Sequence, residues 1–153
     1  MPIRLAVRAV LVHGGRLLVV NAWPGRHDLF CAPGGGAEMH QSLPDNLVRE
    51  VREETGLEIR VGPPCLVNEF HDPDRPFHQV EMFFRCTLVV ERTDPVHIDP
   101  AHVDPEGVVT RRLWISRPEA EDMTTAKRLR PASLPAAAWA RGIGYDPLEP
   151  LLR

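Results

Sequence analysis

The sequence predicts an α/β domain with a mixed β-sheet and helices on its faces. Three observations lead to this prediction: strand-like segments lie before and after one amphipathic helix, the chain has 153 residues, and 43% of them are apolar. This length is close to the commonest size of a single domain, and this apolar fraction is typical of a chain with a buried core. We therefore expect one domain over residues 1–153 and not a disordered chain.

The first predicted elements are a β-hairpin and a short third strand. Residues 3–12 and 16–21 are rich in Val and Leu and are separated by a glycine-containing turn at residues 13–15, which is the pattern of a β-hairpin. Residues 29–31 are expected to form the third strand. The run at residues 33–36, one proline and three glycines, is expected to be a loop without regular structure.

The strongest helix prediction covers residues 42–55. Ser42 is suited to the N-cap position, Pro44 is tolerated in the first turn, and Asp45 lies near the positive end of the helix. Gly56 provides the stop. One face of this helix is apolar and is expected to be buried; it consists of Leu47, Val48, Val51 and Thr55.

The second half of the chain predicts further strands and a weaker end. Strands are expected at residues 58–70, 80–91 and 110–115. A short helix should start at Ser116, because the run Ser-Arg-Pro-Glu has the form of a capping box. Residues 131–153 are rich in proline and are expected to be a tail, with one helical turn, packed on the domain.

Composition excludes several classes of protein. The chain has 18 Lys and Arg against 21 Asp and Glu, a formal net charge of −3. It lacks the basic surface of a general nucleic-acid binder, so no nucleic-acid polymer is expected as a partner. The longest apolar run, residues 17–20, is too short to cross a membrane. Three widely spaced cysteines, Cys31, Cys65 and Cys86, predict reduced thiols and a cytoplasmic location.

Three acidic residues on the predicted helix indicate a metal site. With about 100° between successive helical residues, Glu50, Glu53 and Glu54 fall within an arc of roughly 100°. Their mutual repulsion disfavours the helix unless a cation is present, and carboxylate oxygens suit Mg²⁺ or Mn²⁺. Arg49 lies within i,i+4 reach of Glu53 and can orient it. Taken alone, the segment also fits an ordinary amphipathic helix with a solvated, ion-paired face.

The glycine run and the acidic helix stand at a characteristic spacing. The chain reads Gly35, five residues, Gln41, seven residues, and then Arg-Glu-Val-Arg-Glu-Glu-Thr-Gly-Leu at residues 49–57. This resembles the signature of the Nudix hydrolases, G-x5-E-x7-R-E-U-x-E-E-x-G-U, where U is a bulky aliphatic residue. Eight of its nine specified positions match in register. Residues 29–35 are also similar to the family's usual lead-in to this loop.

The resemblance implies a fold and a reaction. The fold is a Nudix-type α/β/α sandwich with a mixed sheet, in which the box at residues 35–57 forms a loop, a helix and a loop. The reaction is hydrolysis of a nucleoside diphosphate linked to another moiety, by attack of water at phosphorus assisted by Mg²⁺ or Mn²⁺. The expected partner is a small-molecule nucleotide: a nucleotide sugar, ADP-ribose or a nucleoside triphosphate. The sequence does not determine the oligomeric state, and a homodimer is one alternative, since homodimers are common among similar proteins.

The resemblance also assigns roles to residues of the box. Glu50, Glu53 and Glu54 take the family's metal-ligand positions. Glu50, Glu53 and Arg49 are the expected catalytic residues. The general base is either one of these glutamates or a carboxylate from a later loop.

One position departs from the signature. Gln41 stands where the family has its first glutamate, so a negative charge is lost while an oxygen that accepts a hydrogen bond remains. Two functions therefore stay open: an active hydrolase with a weakened metal site, or a catalytically weak nucleotide-binding or sensor module. The three intact glutamates favour the hydrolase. We expect Gln41→Glu to strengthen cation binding.

Five residues are expected to contact substrate. Gly34 and Gly35 belong to the glycine loop, and Arg26 is a candidate phosphate contact. Phe77 brackets a turn-rich loop, where an aromatic ring can stack on a base or simply pack. Glu81 lies in a predicted strand and can add a metal ligand or base, or be an ordinary ion-paired residue.

Overall fold

Eight strands and three helices form the part of the chain that the computed structural model describes, residues 2–89 and 98–150. In chain order they are β1 (Arg4–His13), β2 (Arg16–Trp23), β3 (Arg26–Cys31), β4 (Gly34–Gly36), α1 (Leu43–Thr55), β5 (Ile59–Asp72), β6 (Phe77–Leu88), β7 (Arg112–Ile115), α2 (Arg117–Thr125), α3 (Leu134–Trp139) and β8 (Gly144–Pro150).

The strands form a mixed sheet, as predicted. Its order is β3-β2-β1-β6-β5-β8, with β4 paired to β1 and β7 paired to β2. The β1–β6 and β5–β8 pairs are parallel, and the other pairs are antiparallel. Strand β1 pairs with β2 only near the hairpin, whereas its first half pairs with β4. The glycine run thus lies beside the middle of the sheet.

Helices cover both faces of the sheet, which confirms the α/β/α arrangement. On one face, Leu47 and Val51 of α1 are fully buried, in one core cluster with sheet residues; these sheet residues include Val7, Ala9, Leu11, Leu18 and Phe84. On the other face, Ala120 of α2 and Leu134 of α3 pack on a second set; it includes Val10, Leu17, Val19, Phe30 and Phe83. Truncating a buried Leu such as Leu47 to Ala costs about 2–5 kcal/mol.

The predicted helix and hairpin are confirmed in detail. The side chain of Ser42 accepts a hydrogen bond from the Asp45 N–H at 3.1 Å, and Gly56 ends α1 in the left-handed conformation with φ 76°. Gly14 and Gly15 have positive φ values of 57° and 76°, as a tight hairpin turn requires. Short-range signals therefore set these boundaries.

The later elements agree with their predictions to within a few residues. The strand predicted at residues 80–91 begins earlier, at Phe77 in β6, because the preceding turn occupies only residues 73–76; residues 90 and 91 of that prediction lie outside the described residues. Strand β7 and helix α2 are present, and Ser116 and Glu119 form the predicted capping box.

Two segments differ from the prediction. The run expected to be an irregular loop contains β4, because Gly34–Gly36 pairs antiparallel with Ala6, Val7 and Arg8. The last segment is more than a helical turn and a tail, because β8 (Gly144–Pro150) pairs in parallel with β5 at one edge of the sheet.

None of the helices in the described ranges 2–89 and 98–150 combines the length and the apolar character that a membrane span requires.

Candidate active site

Helix α1 turns two of its three box glutamates inward. Leu47 and Val51 anchor the helix in the core. Glu50 and Glu54 lie one turn apart and are buried, with only 7% and 9% of their surface exposed. The Glu53 side chain is 30% exposed. The acidic face therefore lies at the rim of the buried face.

The glycine strand β4 passes directly against these carboxylates. The Gly34 N–H donates to Oε2 of Glu54 at 3.1 Å. A Cβ added at Gly35 would lie 2.7 Å from the carboxyl group of Glu50, and one at Gly34 would lie 1.9 Å from the carbonyl oxygen of Val7. Gly34 also has a φ of 152°. Only residues without a side chain allow the backbone to approach this closely.

Arg49 holds the exposed side of the acidic face. Its Nη1 lies 3.2 Å from Oε1 of Glu50 and 3.4 Å from Oε2 of Glu53, and its Nη2 lies 3.5 Å from Oε1 of Glu38. The guanidinium therefore links two box glutamates to the loop before the helix. Gln41 joins this group from the same loop, because its Nε2 donates to Oε2 of Glu38 at 3.2 Å.

Burial changes the acidity of the inner glutamates. Burial raises the pKa of Glu54 to about 8, although the Arg8 guanidinium and the Gly34 N–H act in the opposite sense. Burial also raises the pKa of Glu50, against the influence of Arg49, and the charges of Glu106 and Glu53 add to the rise. These carboxyl groups bind protons readily because they are desolvated and crowded with negative charge.

The donor set suits a hard divalent cation. The inner carboxylates are all-oxygen donors in a region of excess negative charge, which Mg²⁺ and Mn²⁺ prefer. A cation in contact with them would offset the desolvation and the repulsion that raise the pKa of Glu50. In the described part of the chain, no three acidic, His or Cys side chains are gathered closely enough to form a ready-made metal group. The glutamates therefore fit a divalent cation by the chemistry of their oxygen donors.

A later loop brings two more carboxylates to α1. Asp104 is buried and accepts backbone N–H bonds from Glu106, Val108 and Val109 at 2.9–3.1 Å. It builds a turn that places the exposed Glu106 close enough to act on Glu50. Just beyond this turn, Nε of Arg112 donates to the backbone oxygen of Glu54 at 2.6 Å.

Arg8 on β1 joins the box to the centre of the sheet. Its guanidinium is buried and forms an ion pair of 2.6 Å with Glu81 on β6. Its Nη1 donates to the backbone oxygens of Ala32 and Gly34 at 3.3 and 3.2 Å. Burial alone would lower the pKa of Arg8, but Glu81 and other nearby negative charges raise it, so it stays charged.

A cavity of about 310 Å³ lies beyond Glu81. This volume is at the lower end of the range for small-molecule sites. Its walls come from the ends of β2 and β3, from β5, β6 and β8, and from the connection between α2 and α3. Glu81 therefore belongs both to the cavity and, through Arg8, to the network that holds the glycine strand.

Comparison with known proteins identifies the family. The family model described as NUDIX domain matches residues 2–139. The chain belongs to the NUDIX domain family. Over 86 residues, 54% of this chain, it is 29% identical to the Bacillus subtilis (strain 168) protein named "Putative ADP-ribose pyrophosphatase YjhB". The matched stretch spans 40% of that relative's length.

Solved structures show the same fold. A NUDIX hydrolase from Nitrosomonas europaea superposes with a TM-score of 0.68 at 22% identity, covering 89% of this chain and 86% of that one. An ADP-ribose pyrophosphatase from Streptococcus suis gives 0.62 at 19% identity, covering 95% and 100%. A UDP-X diphosphatase gives 0.65 at 18% identity, covering 95% and 68%. The α/β/α sandwich is therefore the NUDIX fold.

The structure distributes the predicted substrate residues over three places. Gly34 and Gly35 lie against the box glutamates, and Glu81 lines the cavity. Phe77 packs against Phe70 with ring centroids 5.7 Å apart, and of the two only Phe70 lines the cavity. Arg26 is exposed at the start of β3, 3.9 Å from Asp28. Sequence reasoning weighed Glu81 as a site residue or an ordinary ion-paired residue, and it is both ion-paired and in the cavity wall.

Sequence reasoning missed the residues that join the Nudix box to the rest of the domain. Arg8 and Asp104 stand outside the box, Glu38 stands at a position that the box leaves unspecified, and none of the three has a spacing signature. An arginine in an otherwise apolar strand was the one available signal for Arg8, since a buried charge requires a partner. The other two could be found only by folding the chain.

Proposed function

We propose that this Nudix protein hydrolyses a nucleoside diphosphate linked to another moiety, with Mg²⁺ or Mn²⁺ as the cofactor. One observation carries the proposal: strand β4 passes against the buried carboxylates of Glu50 and Glu54 while Arg8 connects it to a cavity of about 310 Å³. We infer that the glycine backbone, the carboxylates and the cavity act together as one site. The glycine backbone suits the phosphates, the carboxylates suit the cation, and the cavity suits the nucleoside of one substrate.

The proposed reaction is cleavage of a phosphoric anhydride bond. Water attacks one phosphorus atom and the bridging P–O bond breaks. The products are a nucleoside monophosphate and the phosphate ester of the second moiety, or pyrophosphate where the substrate is a nucleoside triphosphate. Glu50, Glu53 and Glu54 would hold the cation, which when bound neutralises the diphosphate and lowers the pKa of a coordinated water. Arg49 orients Glu50 and Glu53, and the glycine strand lets the backbone approach the phosphates.

The base that takes the proton from water is proposed to be Glu53 or Glu106. Glu50 and Glu54 are buried, and their raised pKa values disfavour a free carboxylate in the absence of a cation. Glu53 is only half-buried and Glu106 is exposed, so water reaches both of them. Comparing the pH dependence of kcat in Glu53→Gln and Glu106→Gln separates the two.

The substrate class rests on the cavity and on the relatives' names. An ADP-ribose pyrophosphatase and a UDP-X diphosphatase, by their names, act on nucleoside diphosphate derivatives. The cavity would take the nucleoside, with the diphosphate extending past Arg8 to the box. ADP-ribose, nucleotide sugars and nucleoside triphosphates are the candidates to test.

The test is product analysis over a panel of these nucleotides, with and without Mg²⁺. We expect a nucleoside monophosphate as product, a requirement for the cation, and loss of turnover in Glu54→Gln. Glu121→Gln is the matched control, because Glu121 is exposed on α2 and pairs only with Arg117 in the described residues. Release of inorganic phosphate from simple phosphomonoesters alone would indicate another class of enzyme.

A nucleotide-binding module with weak catalysis is the second candidate, favoured by Gln41 in place of glutamate. It predicts nucleotide binding without product over the whole panel.

We further propose that residues 1–153 act as one domain in the cytoplasm. Gel filtration decides between a monomer and a homodimer.

A further inference from the structure

The cavity carries a set of hydrogen-bond acceptors in fixed orientations. Nδ2 of Asn68 donates to Oε1 of Glu81 at 3.1 Å, while Oε2 of Glu81 accepts from Arg8. This contact fixes the Asn68 amide, and its Oδ1 has no hydrogen-bond partner among the described residues. Both Asn68 and Glu81 are buried, at 6% exposure each, and both line the cavity. The available atom of this pair is therefore an acceptor.

Asp146 adds a second acceptor from the last strand. Ser133 Oγ donates to Oδ2 of Asp146 at 2.7 Å and so fixes the carboxylate against the start of α3. Within residues 2–89 and 98–150, no hydrogen-bond partner reaches its Oδ1. Strand β8 pairs Asp146 with Asn68 itself. The two acceptors are thus neighbours across one strand pair.

The rest of this wall and its surroundings suit a flat ring. Apolar side chains make up much of the lining; they are Trp23, Phe70, Phe83, Leu129 and Pro131. Aromatic and apolar surfaces stack on the faces of a nucleobase, whereas the acceptors can only address groups at its edge. A carboxylate has no hydrogen to donate, so it accepts from an amino group and repels a carbonyl oxygen.

We infer that this cavity selects a nucleobase with an amino group at C6 of a purine or C4 of a pyrimidine, adenine or cytosine, over the carbonyl counterparts hypoxanthine and uracil, through Asn68 and Asp146. The inference rests on the proposed function, since it assigns the nucleoside of that substrate to the cavity. Its physical basis is the number of donors: an exocyclic amino group offers two N–H donors, one to the buried Asn68 and one to the half-buried Asp146, whereas the carbonyl edge of hypoxanthine or uracil offers a single ring N–H and leaves at least one acceptor unpaired.

Matched pairs of nucleotides test the inference without turnover. AMP is compared with IMP, and CMP with UMP, by calorimetric titration of the full chain without added metal. We expect the amino member of each pair to bind at least about tenfold more tightly. In Asp146→Asn, whose amide can also donate, we expect that ratio to narrow to roughly threefold or less. Equal binding within both pairs by the wild-type protein overturns the inference.

Two controls keep the outcomes distinct. Asp122→Asn makes the same change at an exposed position on α2 and should retain the wild-type ratios. Ser133→Ala keeps the Asp146 carboxylate but removes its fixed orientation, so the ratio should fall only partly. If Asp146→Asn folds, as its melting curve shows, and keeps the full ratio, Asp146 is not the selecting group and the inference fails.

Hydrolysis separates this inference from the proposed function. Turnover of ADP-ribose is measured beside turnover of its hypoxanthine analogue. Equal turnover of both contradicts base selection and leaves the proposed hydrolase intact. No turnover of these two or of any other nucleotide in the panel, with AMP still preferred to IMP in binding, contradicts the hydrolase and leaves base selection intact.

Discussion

We propose that Glu38 supplies the negative charge that is lost because Gln41 stands in place of a glutamate, and exchanging the two residue types tests this. Gln41 is exposed and donates to Oε2 of Glu38, whose Oε1 lies 3.5 Å from Arg49. Arg49 in turn contacts Glu50 and Glu53. The sequence alone leads to the expectation that Gln41→Glu strengthens cation binding. The structure instead predicts that Gln41→Glu on its own adds little, because it places a second carboxylate beside Glu38.

The size of the effect follows from exposure. The side chain of Glu38 is 60% exposed and that of Arg49 is 27% exposed, so their ion pair is worth about 0.2–1 kcal/mol after solvent screening. If all of it serves to hold Arg49, Glu38→Gln raises the Mg²⁺ concentration for half-maximal activity by about 1.4- to 5-fold. Adding Gln41→Glu to that variant should restore most of the loss.

The assay is a double-mutant cycle on the Mg²⁺ dependence of nucleotide hydrolysis. Each of the four proteins also needs a melting temperature without metal, which should differ little because both positions are exposed. A coupling between Glu38 and Gln41 confirms that they share one role. The reasoning is refuted if Glu38→Gln has no effect while Gln41→Glu alone lowers the required Mg²⁺ concentration tenfold.

Three further predictions concern buried contacts. Gly35→Ala forces a methyl group against Glu50 and should lower stability in urea by about 1–3 kcal/mol and abolish turnover. Gly25→Ala has no atom near its added Cβ but has a φ of 76°, so it should lose some stability to backbone strain and keep turnover. Without metal, the free energy of unfolding should fall as pH rises from about 4.5 to 8. The reason is that folded Glu54, with its pKa raised to about 8, keeps a proton that the unfolded chain releases. Glu54→Gln should flatten this pH dependence in thermal melts recorded with a chelator. Arg8→Met should cost about 3–5 kcal/mol in urea by stranding a buried carboxylate; a cost under 1 kcal/mol contradicts the buried ion pair.

Elements with local signals could be predicted from the sequence. Helix α1 begins after Ser42 and ends at Gly56 because a cap side chain and a left-handed glycine act within one turn of the helix. The same holds for the Ser116 capping box and for the glycine turn of the hairpin. These signals depend on neighbours in the chain, so a single sequence displays them.

Elements decided by distant partners could not be predicted. Three glycines have no preference for a strand, and β4 forms only because β1 presents a free edge there. Strand β8 contains two prolines, which normally argue against a strand. The prolines are tolerated because β8 lies at the edge of the sheet order, where one side of the strand needs no backbone hydrogen bonds to a neighbour.

The same distinction between local signals and distant partners applies to the residues of the site. The Nudix box is a local pattern, so the sequence located its glutamates and arginine, but no local pattern shows which of them are buried. Burial of Glu50 and Glu54 is a consequence of β4 lying against α1. Arg8 is what ties that strand to the cavity, since it contacts the Gly34 backbone and Glu81 at once. Under the proposed function, we therefore expect substitutions at residues whose partners lie far along the chain, such as Arg8, to separate phosphate chemistry from base recognition.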